Sequence, residues 1–191
     1  MTNISWVQWW ATPWMDSHES WISADKQPAL SALCRTRRVL TVSIYGVAPC
    51  LPPPPEPTLL QLALAPGDQL DLILALINSI CRPSYASVLD EHQHQWCKRL
   101  SKALSPDMLQ PAVDPLQLLR AWVNPDIWQR LRLRFPRQRV LAVEQTEPLA
   151  GDPGPRLDTL WQAVVWRAAA KNGKGNDPYA KGLETNNVLP N

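Results

Sequence analysis

Apolar positions recur at helical spacing through most of this chain. Near the start, Trp6, Trp9 and Trp10 stand at i, i+3 and i+4, one face of a short helix that Pro13 interrupts. Leu70, Ile73, Leu74, Ile77, Ile80 and Cys81 make the clearest stripe, and Asp68 is placed to cap a helix over 69–81. Val88, Leu89, Trp96, Leu100, Ala103 and Leu104 predict the buried side of a long helix over 84–104. Leu157, Leu160, Trp161, Val164 and Val165 do the same for a last helix over 156–170, which Asn172-Gly173 ends. Three cap–proline pairs, Ser105-Pro106, Asp114-Pro115 and Asn124-Pro125, predict further helix starts. The cap side chain accepts from orphan N–H groups, and proline at the first helical position gives up a donor that has no partner.

Two stretches break this rhythm. Val39 to Tyr45 alternates apolar and polar and is rich in β-branched residues, which by propensity reads as a strand. No other stretch alternates similarly, so a strand would lack a mate, and the expectation is a helix to about Tyr45 ending near Gly46. Residues 49–57, P-C-L-P-P-P-P-E-P, predict a polyproline II connector. Such a run can serve as an SH3-type ligand, but inside a domain it reads as a stiff spacer. A short helix over 58–65 follows, and Thr146 to Pro155 is a Pro/Gly loop. From Lys171 the chain is polar with Gly173, Gly175 and Gly182, and disorder is expected. The fold predicted is all-α: a single compact multi-helix domain over 1–170, with the 49–57 connector inside it and a polar tail over 171–191.

The stretch from Trp122 to Val143 organises the rest. After Asn124-Pro125, Ile127, Trp128, Leu131 and Phe135 fall on one helical face. Pro136 biases Phe135 out of the helical region, which predicts a stop or sharp kink and a second helix over 136–145. Arg130, Arg134 and Arg137 would form a stripe beside the apolar face if the helix continued, with Arg132 and Arg139 pointing elsewhere. From Arg120 to Arg139 six arginines stand against Asp126 alone, a local excess of +5 in a chain whose net charge is only +2. Such a stripe can meet nucleic-acid phosphates or an acidic protein surface, or it can be a solubilising face with its stems laid over apolar surface. Exposed charges contribute little to stability, so reversing Arg130, Arg134 and Arg137 to Glu is expected to leave the fold intact. Trp6, Trp9 and Trp10 carry the same ambiguity, between capping the core and forming a partner-binding patch.

Length and composition narrow the classes. The 191 residues, 45% of them hydrophobic, suffice for one domain with a sizeable core. Twenty prolines against seven glycines suit helices joined by stiff connectors. The first 21 residues hold no Lys or Arg and do not read as a signal peptide, and Leu70 to Ile77 is too short to span a bilayer. No direct membrane insertion is expected, and the chain reads as cytoplasmic or held at a membrane by a partner. Cys34, Cys50, Cys81 and Cys97 form no C-x-x-C pair and read as reduced thiols.

D-E-H-Q-H-Q-W-C, Asp90 to Cys97, is the nearest thing to a chemical cluster. His94 and Cys97 share a helical face, but His92 and His94 stand about 200° apart, and even an open zinc site needs three ligands. A zinc-dependent enzyme or a Cys–His nucleophile there is a weak alternative, because neither a third ligand nor an orienting group is marked. Asp90 and Glu91 diverge on a helix and cannot work as an acid–base pair. No catalytic, metal-binding or cofactor-binding residue is assigned.

Three strings carry a resemblance: W-Q-R-L-R-L-R-F-P-R-Q-R-V-L (Trp128 to Leu141) after R-A-W-V (Arg120 to Val123), W-x-x-W-W-x-x-P-W (Trp6 to Trp14), and H-Q-W-C-K-R-L-S-K-A-L (His94 to Leu104). Together they resemble the SctK family of bacterial type III secretion, in particular its HrpD-type branch, over about residues 1 to 145. The resemblance implies a non-enzymatic, mostly helical adaptor of the cytoplasmic sorting platform, needing no cofactor. It would sit at the cytoplasmic face of the inner membrane, between the cytoplasmic domain of the SctD-type ring protein and the SctQ-type pod protein. The SctL-type stator and SctN-type ATPase would be reached indirectly. Arg130, Arg132, Arg134, Arg137, Arg139, Trp6, Trp9 and Trp10 are the candidate partner-contact residues, chosen from the residue pattern and not from the family. The alternative is a helical nucleic-acid-binding protein using the Arg130–Arg139 stripe, whereas the adaptor reading expects no nucleic acid.

Overall fold

The computed structural model describes residues 4–22, 32, 44–82, 89–104, 113–147, 149 and 154–172. Among these lie eight α-helices and no strand: α1 Ile4–Ala11, α2 Pro57–Leu64, α3 Gly67–Cys81, α4 Glu91–Ala103, α5 Pro115–Trp122, α6 Pro125–Leu131, α7 Arg137–Gln145 and α8 Gly154–Asn172. The all-α expectation holds. The cap–proline logic holds where it is described. Asn124 accepts from the Ile127 amide at 2.9 Å, and Asp114 accepts from Leu116 at 2.8 Å while Gln117 reaches back to the Asp114 amide at 3.1 Å. Lys171 and Asn172, expected in the tail over 171–191, instead end α8, which begins at Gly154 inside the loop expected over 146–155. Ser105-Pro106 and residues 173–191 of that tail lie outside the described residues, as does most of the 28–43 segment. Its end is visible: Ile44 and Tyr45 are helical and Gly46 takes φ 65°, a left-handed stop where glycine has no Cβ penalty.

Two helix starts differ from expectation. Asp68 makes no side-chain cap; α3 begins at Gly67 after Pro66, and Asp68 sits in its first turn. The helix predicted from residue 84 begins at Glu91, because Asp90 leaves the helical region at ψ 164° and accepts from the Gln93 amide at 2.9 Å. Gln93 in turn accepts from the Asp90 amide at 2.9 Å, closing a capping box. Of the positions predicted to be buried on this helix, Val88 lies outside the described residues, Leu89, Trp96, Leu100 and Leu104 are half-buried and Ala103 is exposed, whereas Gln93 and Cys97 are buried.

The core gathers around α3, which packs on α4, α8 and α5, while α1 and α8 cover α2. All the apolar positions predicted on α3, on α6 with Phe135, and on α8 are buried. Each fully buried Leu or Ile contributes roughly 1.5–3 kcal/mol of transfer free energy. The break at proline is also observed. After α6 the chain makes one 3₁₀ turn over Arg132–Arg134, Phe135 is extended at φ −114° and ψ 159°, and Pro136 caps α7. That turn drops Leu133 into a second small core with Trp14, Tyr45 and Val47.

Candidate functional site

The interrupted helix changes what its arginines do. A continuous helix would have aligned Arg130, Arg134 and Arg137 on a wet face; the 3₁₀ turn sends successive side chains into different neighbours. Arg130 is buried, donating to the carbonyls of Trp10 at 3.1 Å, Asp126 at 2.9 Å and Ala48 at 2.9 Å, with its guanidinium 4.0 Å from the Trp10 ring centroid. Arg132 donates to the Tyr45 carbonyl at 2.7 Å and to Glu144 at 2.9 Å. Arg134 donates to the carbonyls of Ala63 at 2.9 Å and Ala65 at 2.6 Å. Arg139 grips Asp114 through two bonds, at 3.0 and 2.9 Å, tying α7 to the cap of α5. Outside the predicted set, Arg120 donates to the Val143 carbonyl at 2.8 Å.

These contacts share one chemistry. Trp10 lies in the last turn of α1, Tyr45 ends the helical turn before Gly46, Ala63 and Ala65 end α2, and Val143 lies in the last turn of α7. The last carbonyls of a helix have no intrahelical donor and carry the negative end of the macrodipole. Four arginines therefore cap four helix ends from elsewhere in the chain. Burial lowers the pKa of both Arg130 and Arg134 below the ordinary arginine value, with Cys50 and Asp126 opposing that shift at Arg130 and Asp16 at Arg134. The expectation of an exposed stripe whose reversal spares the fold is corrected accordingly. Of the five predicted arginines only Arg137 is exposed, with its guanidinium 5.7 Å from the Trp21 ring centroid.

Trp6, Trp9 and Trp10 are likewise buried, so they cap the core and do not present an outer patch. Their rings pack on one another with centroids 5.1, 5.6 and 6.3 Å apart. Two indole N–H groups hold the proline connector: Trp6 donates to the Pro53 carbonyl and Trp10 to the Cys50 carbonyl, each at 2.9 Å. The 49–57 run is thus a docked spacer.

Between α1 and residues 47–52 lies a cavity of about 430 Å³. Val7, Trp10, Ala11 and Trp14 form one wall, Val47 to Pro52 form the other, and Arg130 contributes to its lining. Leu51 stands at this cavity 90% exposed.

The Asp90–Cys97 segment does not converge on a metal. Among the described residues no group of three His, Cys, Asp or Glu could hold one. Asp90 is a helix cap, His94 Nδ1 lies 3.3 Å from the Ser79 hydroxyl, and the buried Cys97 thiol donates to the Leu76 carbonyl at 3.6 Å. Burial pushes the Cys97 and Cys81 thiols up to about 11, which disfavours the nucleophilic thiolate. No helix among the described residues is long and apolar enough to cross a membrane. Comparisons with protein-family models, curated proteins and solved structures return no match to this chain.

Proposed function

We propose that this chain is a non-enzymatic adaptor subunit of the cytoplasmic sorting platform of a type III secretion system, linking the inner-membrane ring to the SctQ-type pod protein. The observation supporting this reading is where two of the SctK-like strings lie. W-x-x-W-W-x-x-P-W and R-L-R-L-R-F-P-R meet at Trp10 and Arg130, and the arginines of the second string hold the ends of helices drawn from across the chain. The strings that carry the resemblance are therefore ones that pack this domain. As an adaptor the chain would be peripheral at the cytoplasmic face, held there by the SctD-type ring protein. The nucleic-acid alternative loses its main support, because Arg130, Arg132 and Arg134 donate to backbone carbonyls and Arg139 is paired with Asp114.

The test is pairwise binding of the purified chain to the SctQ-type pod protein and to the cytoplasmic domain of the SctD-type ring protein. Saturable binding to at least one of them is expected, with no retention of DNA or RNA near physiological salt. Binding to neither protein would overturn the adaptor reading. Nucleic-acid retention whose affinity falls steeply with salt would favour the alternative.

A further inference from the structure

The cavity beside α1 combines apolar walls with a charge that lacks an ionic partner. Arg130 is only 2% exposed and donates to three carbonyls, yet among the described residues no carboxylate lies within ion-pair distance of it. The nearby Asp126 carboxylate accepts from Gln129 Nε2 at 2.9 Å instead. Carbonyl dipoles solvate a guanidinium without neutralising it, and in a low-dielectric surround its field reaches further than it would in water. The rim is apolar and open: Val7 and Ala11 follow one turn apart on α1, Ala11 is exposed, and Leu51 stands 90% exposed on the opposite wall. A volume of about 430 Å³ accepts a few apolar side chains and little more.

We propose that this groove, between α1 and residues 47–52, docks a protein partner through a short segment that presents apolar side chains around one carboxylate. The apolar side chains fill the space between Val7, Ala11 and Leu51, and the carboxylate complements the positive end of the groove at Arg130. The assignment rests on the adaptor reading above, and it names the face on which one of the two proposed partners lands. Burial of apolar surface at the centre supplies affinity, while the charge sets orientation and excludes basic segments.

Arg130 itself is unsuitable for the test, because removing it also releases three carbonyls. Leu51 is suitable, since its exposure makes both Leu51→Glu and Leu51→Lys neutral to folding. Affinities for the pod protein and for the ring domain would be measured by calorimetry with wild type and both variants, using thermal unfolding to confirm that each is folded. Both variants lose the leucine's apolar contact and are expected to weaken one of the two complexes, but Leu51→Glu, which also repels the carboxylate, is expected to weaken it roughly tenfold more than Leu51→Lys does. Equal weakening by both variants would overturn the carboxylate. Unchanged affinity in both would overturn the groove while leaving the adaptor reading standing. Failure of wild type to bind either protein would overturn both.

Discussion

Replacing Arg130 with alanine tests the arginine capping most sharply. The perturbation removes donors from the Trp10 and Ala48 carbonyls and a cation from the face of Trp10. A hydrogen bond from a charged donor contributes about 1.5–3 kcal/mol, and a desolvated cation–π contact up to about 2 kcal/mol. Two offsets reduce that sum. Ala48 is exposed, so water can replace the donor at its carbonyl. Removing a buried charge also relieves its desolvation, the same cost that lowers the Arg130 pKa. The Trp10 carbonyl, in a buried residue, keeps its deficit, and the net loss expected is about 2–4 kcal/mol. Urea unfolding followed by tryptophan fluorescence and by far-ultraviolet circular dichroism would measure it, with Arg137→Ala as the control, expected within about 0.5 kcal/mol of wild type. A loss below about 1 kcal/mol for Arg130→Ala, or equal losses for both variants, would refute the reasoning and return Arg130 to the solvated face.

Other consequences can be checked with the same preparation. Gly46→Ala should cost about 1–3 kcal/mol, because φ 65° strains a residue with a Cβ and that Cβ would meet the Arg132 guanidinium at 2.6 Å. Leu131→Ala should cost about 2–5 kcal/mol as a buried leucine, and a loss under about 0.5 kcal/mol would mean that its face is not packed. A thiol reagent at neutral pH should modify Cys50 in the native chain and leave Cys81 and Cys97 untouched, as read by mass spectrometry of the digested protein. The folded pKa of these two thiols is raised to about 11 from 9.0, so the unfolded chain releases their protons first. Their contribution to stability is therefore complete below pH 9.0 and is lost as pH rises through about 11, which urea midpoints across that window would reveal.

What could be read from the chain followed from local rules. Stripes such as Leu70, Ile73, Leu74 and Ile77 need only the period of the helix, and the stop at Phe135-Pro136 needs only the steric demand of proline. The Asp90 cap was also legible, since Asp followed three residues later by Gln is a capping-box pattern. The roles of the arginines are non-local. Whether a guanidinium faces water or the end of a distant helix depends on the turn at Arg132–Arg134, which no periodicity announces. A signal did exist. α1 and α2 have no basic residue in their last turns, and the chain holds only seven glycines, so donors from elsewhere were to be expected at their terminal carbonyls. The arginine-rich segment was the obvious source. The Trp6, Trp9 and Trp10 spacing revealed a face but not what it would cover, because the connector that accepts the Trp6 and Trp10 N–H groups lies about forty residues on.

The most direct measurement of the proposed adaptor function is the mass of the assembly formed when the chain, the SctQ-type pod protein and the cytoplasmic domain of the SctD-type ring protein are mixed. Size-exclusion chromatography with light scattering should show one species containing all three, and the two outer proteins should fail to co-elute when the chain is omitted. Three proteins eluting separately, or pod and ring joining equally well without the chain, would contradict a linking role.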